Sequence, residues 1–320
     1  MRNKEYYADE LRKTIKNLME TTWGSVVNSV DIDSWLSQFQ ENPDVTLDEQ
    51  LHAMYLLSHF LYFDQASIRE LLRAIYRDLF RTPLVHEIRR ANLGTLDPNV
   101  IEPAFLEKRG KTRFLGVGNP SESGVHLLYY FRQQNELPKD LFINSYEIFK
   151  REGEGNSAKT IVRDPTIENY VYLDDLCGSG TQASDYSKDL VFPLKAMNPN
   201  AKVFYFVLFA TSDGLKAVRD LGCFDRVEAI FELDASFRSL EPGSRIFEPE
   251  VAPYFRERVR ETCMKYGSNL WPHHPLGYKN GQLLVGFNHN TPDNTLPIFW
   301  MDIPSLWLPI FKRYHKEYGP

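Results

Sequence analysis

Two aspartates side by side, Asp174 and Asp175, stand shortly before Gly178, Ser179, Gly180, Thr181 and Gln182. The residues ahead of them, Tyr170 to Leu173, read as a short buried strand, and a helix is expected behind them. Carboxylates at a strand end accept hydrogen bonds strongly, and the vicinal diol of a ribose offers two donors at matching spacing. Successive strand residues point to opposite sides, so one acid is expected to face a ligand while the other reaches around it. Glycines let a backbone approach an anion closely, and a helix N-terminus presents N–H groups and a favourable dipole. Ser179 and Thr181 add hydroxyl donors. An acid pair followed by a phosphate loop describes a cradle for ribose 5-phosphate. The plain alternative is a glycine turn in which Asp and Ser side chains only cap a helix.

Three further segments could take part. Gly116 to Gly124 lies between the apolar run Arg113–Val117 and an apolar-periodic helix, Val125 to Gln133. Its backbone N–H groups suit a pyrophosphate, or form a left-handed turn before a helix. Arg151 to Glu168 is polar and charged, with Gly153, Gly155 and Pro165, and reads as a mobile loop. It is either a lid that excludes water and brings Lys159 and Arg163 to a leaving group, or a solvated surface loop. Gly286 to Pro297 is dense in side-chain amides. Asn288, His289, Asn290 and Asn294 suit recognition of a base edge or the ordering of a tight multi-turn loop. Arg69, Arg73, Arg77 and Arg81 recur at helical spacing and could lie along phosphates of RNA or DNA. Glu70 and Asp78 interrupt them, and a solvated face is the favoured reading. His52, His59, His273 and His274 lack the carboxylate or cysteine company of a metal site.

These residues need a scaffold. The chain has 320 residues, 42% hydrophobic and 25% charged, with a formal net charge of −6. That balance is globular and argues against binding nucleic acid with the whole surface. The three cysteines, Cys177, Cys223 and Cys263, are odd in number and far apart, which points to a reducing cytoplasm. No apolar run is long enough to span a bilayer, so no membrane is expected. Residues 1–95 read as a helical domain, with Leu51, Met54, Tyr55, Leu57 and Leu61 on one helix and Ile68 to Leu79 on another. Residues 96–240 alternate strand and helix. Their strands are expected at Arg113–Val117, Leu141–Phe149, Tyr170–Leu173, Val203–Phe209 and Val227–Leu233, which implies an α/β open, doubly wound, mainly parallel sheet. Residues 241–320 hold a helix, Pro249 to Tyr266, a short strand, Gln282 to Phe287, and a hood-like extension.

The strand, the Asp174–Asp175 pair and the Gly178–Gln182 loop resemble the phosphoribosyl pyrophosphate (PRPP) motif of type I phosphoribosyltransferases. The resemblance implies that Asp174 and Asp175 hold the ribose hydroxyls and that Gly178 to Gln182 hold the 5-phosphate. It casts Gly118, Asn119, Pro120, Glu122, Ser123 and Gly124 as the pyrophosphate loop, and Arg151 to Glu168 as the closing loop, with Lys159 and Arg163 as catalytic cations. The chain departs from the family pattern where members carry Arg or Lys in the pyrophosphate loop and it has Asn119, Glu122 and Ser123. The Asn288 to Pro297 pattern following the aspartate motif is similar to that of phosphoribosyltransferase-like proteins of bacterial conflict and anti-phage systems, including retron-associated ones. The implied activity is phosphoribosyl or ribosyl transfer, or nucleotide cleavage, on a PRPP- or nucleotide-like ligand. Mg²⁺ would be bridged by the ligand and by Asp174 or Asp175, and Asn288, His289, Asn290 and Asn294 would meet the base or acceptor. Two alternatives stand beside it. One is a non-catalytic nucleotide or PRPP sensor in a defence complex; the other is an interaction module whose helical N-terminus docks on a protein, RNA or DNA.

Overall fold

The computed structural model describes residues 2–40, 46–118, 123–154, 158–247 and 253–314. In chain order its elements begin with α1 (Arg2–Thr21), α2 (Ser29–Leu36), α3 (Thr46–Leu57), β1 (Leu61–Phe63), α4 (Gln65–Ala74), α5 (Thr82–Ala91) and α6 (Pro98–Gly110). There follow β2 (Thr112–Gly116), α7 (Ser123–Gln134), β3 (Phe149–Glu152), β4 (Lys159–Val162), β5 (Asn169–Cys177), α8 (Thr181–Tyr186) and α9 (Phe192–Met197). The chain then forms β6 (Lys202–Thr211), α10 (Ser212–Asp220), β7 (Arg226–Leu233), α11 (Pro253–Leu270), β8 (Val285–Phe287) and α12 (Pro297–Trp300). Two compact units result: Met1–Ile68 together with Asp234–Pro320, and the continuous stretch Arg69–Leu233. Segments that read separately at the two ends of the sequence thus build one unit, and residues 69–95 belong to the other.

The continuous unit is organised by a parallel sheet in the order β2-β5-β6-β7. On the outer side of β2, Phe142 makes one parallel bridge to Phe114. The chain therefore leaves β2 in one direction, through α7, and returns across it to β5 in the other. Right-handed crossovers of opposite sense place their helices on opposite faces. Phe131 of α7 packs on Phe114. Leu115 faces the other way, into a core with Ala183, Leu194, Leu215 and Val218 from α8, α9 and α10. This is the expected open, doubly wound α/β sheet, and its strand order reverses between β2 and β5.

Four local expectations change. The Leu141–Phe149 run yields one bridge and a short turn at Ser145–Glu147, because Glu147 accepts the Asn144 N–H at 2.6 Å and closes a capping box. Lys159 to Val162 forms a hairpin with Phe149 to Glu152 instead of an irregular loop, since Thr160, Ile161 and Val162 are β-branched and pair in register with Phe149, Lys150 and Arg151. Leu61 leaves the helical pattern and joins β1. The helix through Ile68 to Leu79 widens to a π-helical run, Ile75–Arg81, ahead of Pro83. Proline has no N–H for the Leu79 carbonyl, and Arg226 supplies that bond at 2.8 Å.

In the other unit, β1 pairs in parallel with β8, Leu61 opposite Val285 and Phe63 opposite Phe287. Its core is strongly aromatic. Trp35 stacks on Phe299 at 5.3 Å, and Phe39 meets Tyr266 at 4.8 Å and Trp307 at 5.1 Å. Among the described residues no helix is long and apolar enough to cross a membrane.

Candidate functional site

In an open α/β sheet ligands sit beyond the carboxyl ends of the strands, where the order reverses. Here that place lies between β2 and β5. Gly116 is opposite Leu173, and the Val117 N–H still reaches the Leu173 carbonyl at 3.0 Å. β2 then ends, while β5 continues alongside β6, with Asp174 opposite Val207 and Cys177 opposite Ala210. Both aspartates therefore lie within the strand, not after it, because β6 runs on to Thr211 and keeps pairing with them.

Both acids make the same local contact. Each side chain folds forward onto the next backbone N–H: Asp175 N–H donates to Asp174 Oδ1 at 2.9 Å, and Leu176 N–H donates to Asp175 Oδ1 at 2.8 Å. Asp174 is 4% exposed. Burial first, and the charge of Asp175 second, push its pKa well above the ordinary carboxylate range, against the lowering effect of the Tyr205 hydroxyl. That hydroxyl donates to Asp174 Oδ2 at 2.9 Å. Tyr205 lies in the apolar run of β6 and carries no local sign of a site in the sequence. Cys177 shares the pocket, and burial raises its thiol to about 12, which keeps it protonated and unreactive.

The phosphate loop is clamped from behind. Gly180 sits at φ +72°, a left-handed conformation that favours glycine, and opens α8. A π-helical run, Ser187–Val191, carries the helix on into α9. Ser179 Oγ and Thr181 Oγ1 are 2.9 Å apart. Thr211 Oγ1 donates to the Gly178 carbonyl and accepts the Gly214 N–H at 2.9 Å. A Cβ on Gly214 would lie 2.5 Å from the Cys177 carbonyl oxygen and 2.6 Å from that of Gly178. Gly214 thus lets the first turn of α10 press against the loop. Nothing in the sequence marks this glycine beyond its place at the start of a helix. Tyr186 of α8 donates to the Gly116 carbonyl at 3.2 Å and so joins the loop helix to the end of β2.

Of the expected pyrophosphate loop, Gly118 has φ +99° and requires glycine. Asn119, Pro120 and Glu122 lie outside the described residues. Ser123 and Gly124 open α7, and their side chains lie outside them too. Lys159 stands exposed at the start of β4. Arg163 binds the base of the hairpin, donating from Nε to the Glu147 carbonyl at 3.0 Å. Asn288, His289, Asn290 and Asn294 belong to the other unit, where they serve turns. Asn290 Oδ1 accepts the Tyr314 N–H at 3.0 Å, Asn294 Nδ2 donates to the Tyr278 carbonyl at 3.2 Å, and His289 stacks on Phe287. Asn288 is exposed, and its N–H reaches the Phe63 carbonyl at 3.0 Å. The arginine stripe is neutralised locally. Arg73 pairs with Glu70, Arg77 with Asp78 and Arg81 with Glu102, while Arg69 lies over the Tyr130 ring.

Among solved structures, the chain is similar to an orotate phosphoribosyltransferase from Aeropyrum pernix, at 15% identity over 53% of this chain and 73% of that one, with a TM-score of 0.28. It is also similar to a xanthine-guanine-hypoxanthine phosphoribosyltransferase of Helicobacter pylori, at 10% identity over 54% and 91% of the two chains, with a TM-score of 0.27. The AQ2163 protein from Aquifex aeolicus matches at 11% identity over 64% and 82%, with a TM-score of 0.30. No curated protein matches the sequence. The PRTase-CE family model matches residues 32–313. With nearly the whole length matched, the acid pair and the glycine loop at the strand-order reversal sit in a chain that belongs to the PRTase-CE family.

Proposed function

We propose that the cradle from Asp174 to Thr181 binds the ribose 5-phosphate part of PRPP or of a nucleotide, and that the chain transfers or releases the group on the anomeric carbon. The observation that carries this reading is the clamped glycine loop next to the paired carboxylates, at the reversal point of the sheet. Ribose hydroxyls donate to the acid pair, and the 5-phosphate meets the Gly178–Thr181 backbone and the Ser179 and Thr181 hydroxyls. Substitution at the anomeric carbon develops positive charge on the sugar, and carboxylates held beside it stabilise that charge. Bound geometry supplies most of the remaining gain. Mg²⁺ fits this arrangement: an ion carried by ligand phosphates needs only one or two protein carboxylates; Asp174 or Asp175 would hold the ion, whose positive charge would offset that of a leaving pyrophosphate. Among the described residues no cluster of three or more His, Cys, Asp or Glu forms a metal site by itself.

A binding role without turnover is the second reading. It is favoured by the engagement of Arg163 with the Glu147 carbonyl at the hairpin base, though Lys159 and Arg163 are both exposed. Calorimetry with PRPP, ribose 5-phosphate and nucleoside monophosphates, followed by chromatography for released base or pyrophosphate, separates the readings. Binding with product formation supports transfer or cleavage, binding without it supports a sensor, and no binding by any of the three removes the cradle. A part in bacterial anti-phage defence belongs to the same proposal and rests on the sequence resemblance. Its test is phage plating on cells carrying the wild-type chain or Asp174→Ala, where equal plaque counts count against it.

A further inference from the structure

Tyr205 is the one residue of the Val203–Phe209 run with a polar side-chain atom, and it is fully buried. A phenylalanine would fill the same space without bringing a hydroxyl that must find a partner. The neighbouring strand shows the contrast. Tyr172 lies opposite Tyr205 in the β5–β6 register, and its buried hydroxyl has no partner among the described residues. The Tyr205 hydroxyl instead donates to Asp174 Oδ2 at 2.9 Å.

This one phenol holds the acid side of the cradle. Asp174 Oδ1 is held by the Asp175 N–H and Oδ2 by Tyr205, so the plane of the carboxylate is fixed before any ligand arrives. A carboxylate oxygen accepts more than one hydrogen bond, so lone pairs remain for a sugar diol. Holding a binding group in place in advance removes the cost of ordering it on binding. We infer that Tyr205 is a positioning residue that sets the Asp174 carboxylate for the ribose hydroxyls. The inference rests on the ribose 5-phosphate reading of the cradle.

The full-length chain is titrated by calorimetry with ribose 5-phosphate, 2-deoxyribose 5-phosphate and inorganic phosphate. Ratios of affinity on one sample are independent of its active fraction, so a partly folded variant still reports. Tyr205→Phe is expected to lower the preference for ribose 5-phosphate over its 2-deoxy analogue by about tenfold, the order of one lost hydrogen bond to a charged group, with inorganic phosphate affinity unchanged. An unchanged preference overturns the inference, and so does an equal loss for all three probes, which marks general damage. If the single variant does not fold, Asp174→Ala/Tyr205→Phe is compared with Asp174→Ala. Removing both partners leaves neither the hydroxyl nor the carboxylate without the other, and the double variant is expected to show the preference of Asp174→Ala alone. A further drop means that Tyr205 acts other than through Asp174. Failure of the parent reading looks different: the wild-type chain itself would bind ribose 5-phosphate no better than inorganic phosphate.

Discussion

At the scale of single residues, burial sets the chemistry of the acid pair. Asp174 binds its proton more tightly in the native state than in the unfolded chain, where an aspartate has a pKa of about 3.9. Below that value both states are protonated and the native state loses nothing. As pH rises toward the raised native pKa, the unfolded state is favoured progressively. Asp174→Asn removes this term and keeps one acceptor oxygen, for either Tyr205 or the Asp175 N–H. Its denaturant midpoint is therefore expected above that of the wild type at pH 7, with the gap closing toward pH 4, while ribose 5-phosphate affinity falls. A variant less stable than wild type at pH 7 would contradict the assignment. Asn290 tests the opposite case. Its Oδ1 already takes the Tyr314 N–H, so Asn290→Ala is expected to cost about 0.5–1.5 kcal/mol of stability. Its affinity ratio between a nucleoside monophosphate and ribose 5-phosphate decides between a structural and a base-reading role: an unchanged ratio supports the first, a selective loss of the base-bearing ligand the second. Asp174, Asp175 and the glycine loop were legible in the sequence because their residue types crowd together over a few positions. Tyr205 was not, since an aromatic residue in an apolar strand reads as core until its hydroxyl is seen to meet a carboxylate thirty-one positions away.

Among the elements, α10 decides the shape of the phosphate loop although no ligand group is assigned to it. Gly214→Ala would push a methyl group into the backbone carbonyls of Cys177 and Gly178, which cannot yield as a flexible side chain does. Overpacking of this kind costs about 1–3 kcal/mol. The variant is expected to lose phosphate affinity together with stability, read by calorimetry and by denaturant unfolding. Wild-type phosphate binding would show that the loop tolerates a shift. Gly180 has less slack than a loop position suggests, because a Cβ there meets Ala217 at 3.0 Å as well as a strained φ. The β3–β4 hairpin is held at its base by Arg163, so Arg163→Ala should speed proteolysis between Phe149 and Val162. If the hairpin closes over the site, PRPP with Mg²⁺ should slow that cleavage in the wild type; equal rates with and without PRPP bound would remove the lid. The strands of the sheet were legible from their apolar runs. The hairpin was hidden because three β-branched residues are outweighed by the charged residues around them, and the bridge at Phe142 because its neighbours Asn144 and Glu147 prefer a turn.

Across the whole molecule, the sheet-bearing unit is one continuous stretch, while the other unit is assembled from two distant pieces. A fragment spanning Asp64–Leu233 keeps the Asp64 cap that receives the Ser67 N–H and ends with the last residue of β7. It is expected to unfold cooperatively and to retain ribose 5-phosphate binding, measured by circular dichroism and calorimetry. A fragment without a cooperative transition would show that the stretch depends on the rest of the chain. The joining of the two ends could not be read from the sequence, since the β1–β8 pairing leaves no local pattern and both strands are only three residues long. That pairing also constrains the order of synthesis. Trp35 and Phe39 leave the ribosome early, yet Tyr266, Phe299 and Trp307, on which they pack, are made only after the whole inserted unit has been translated. At about 5–20 residues per second the nascent N-terminal helices wait roughly ten seconds to nearly a minute with their aromatic faces uncovered. During that interval the unit carrying the four-stranded sheet has time to fold first.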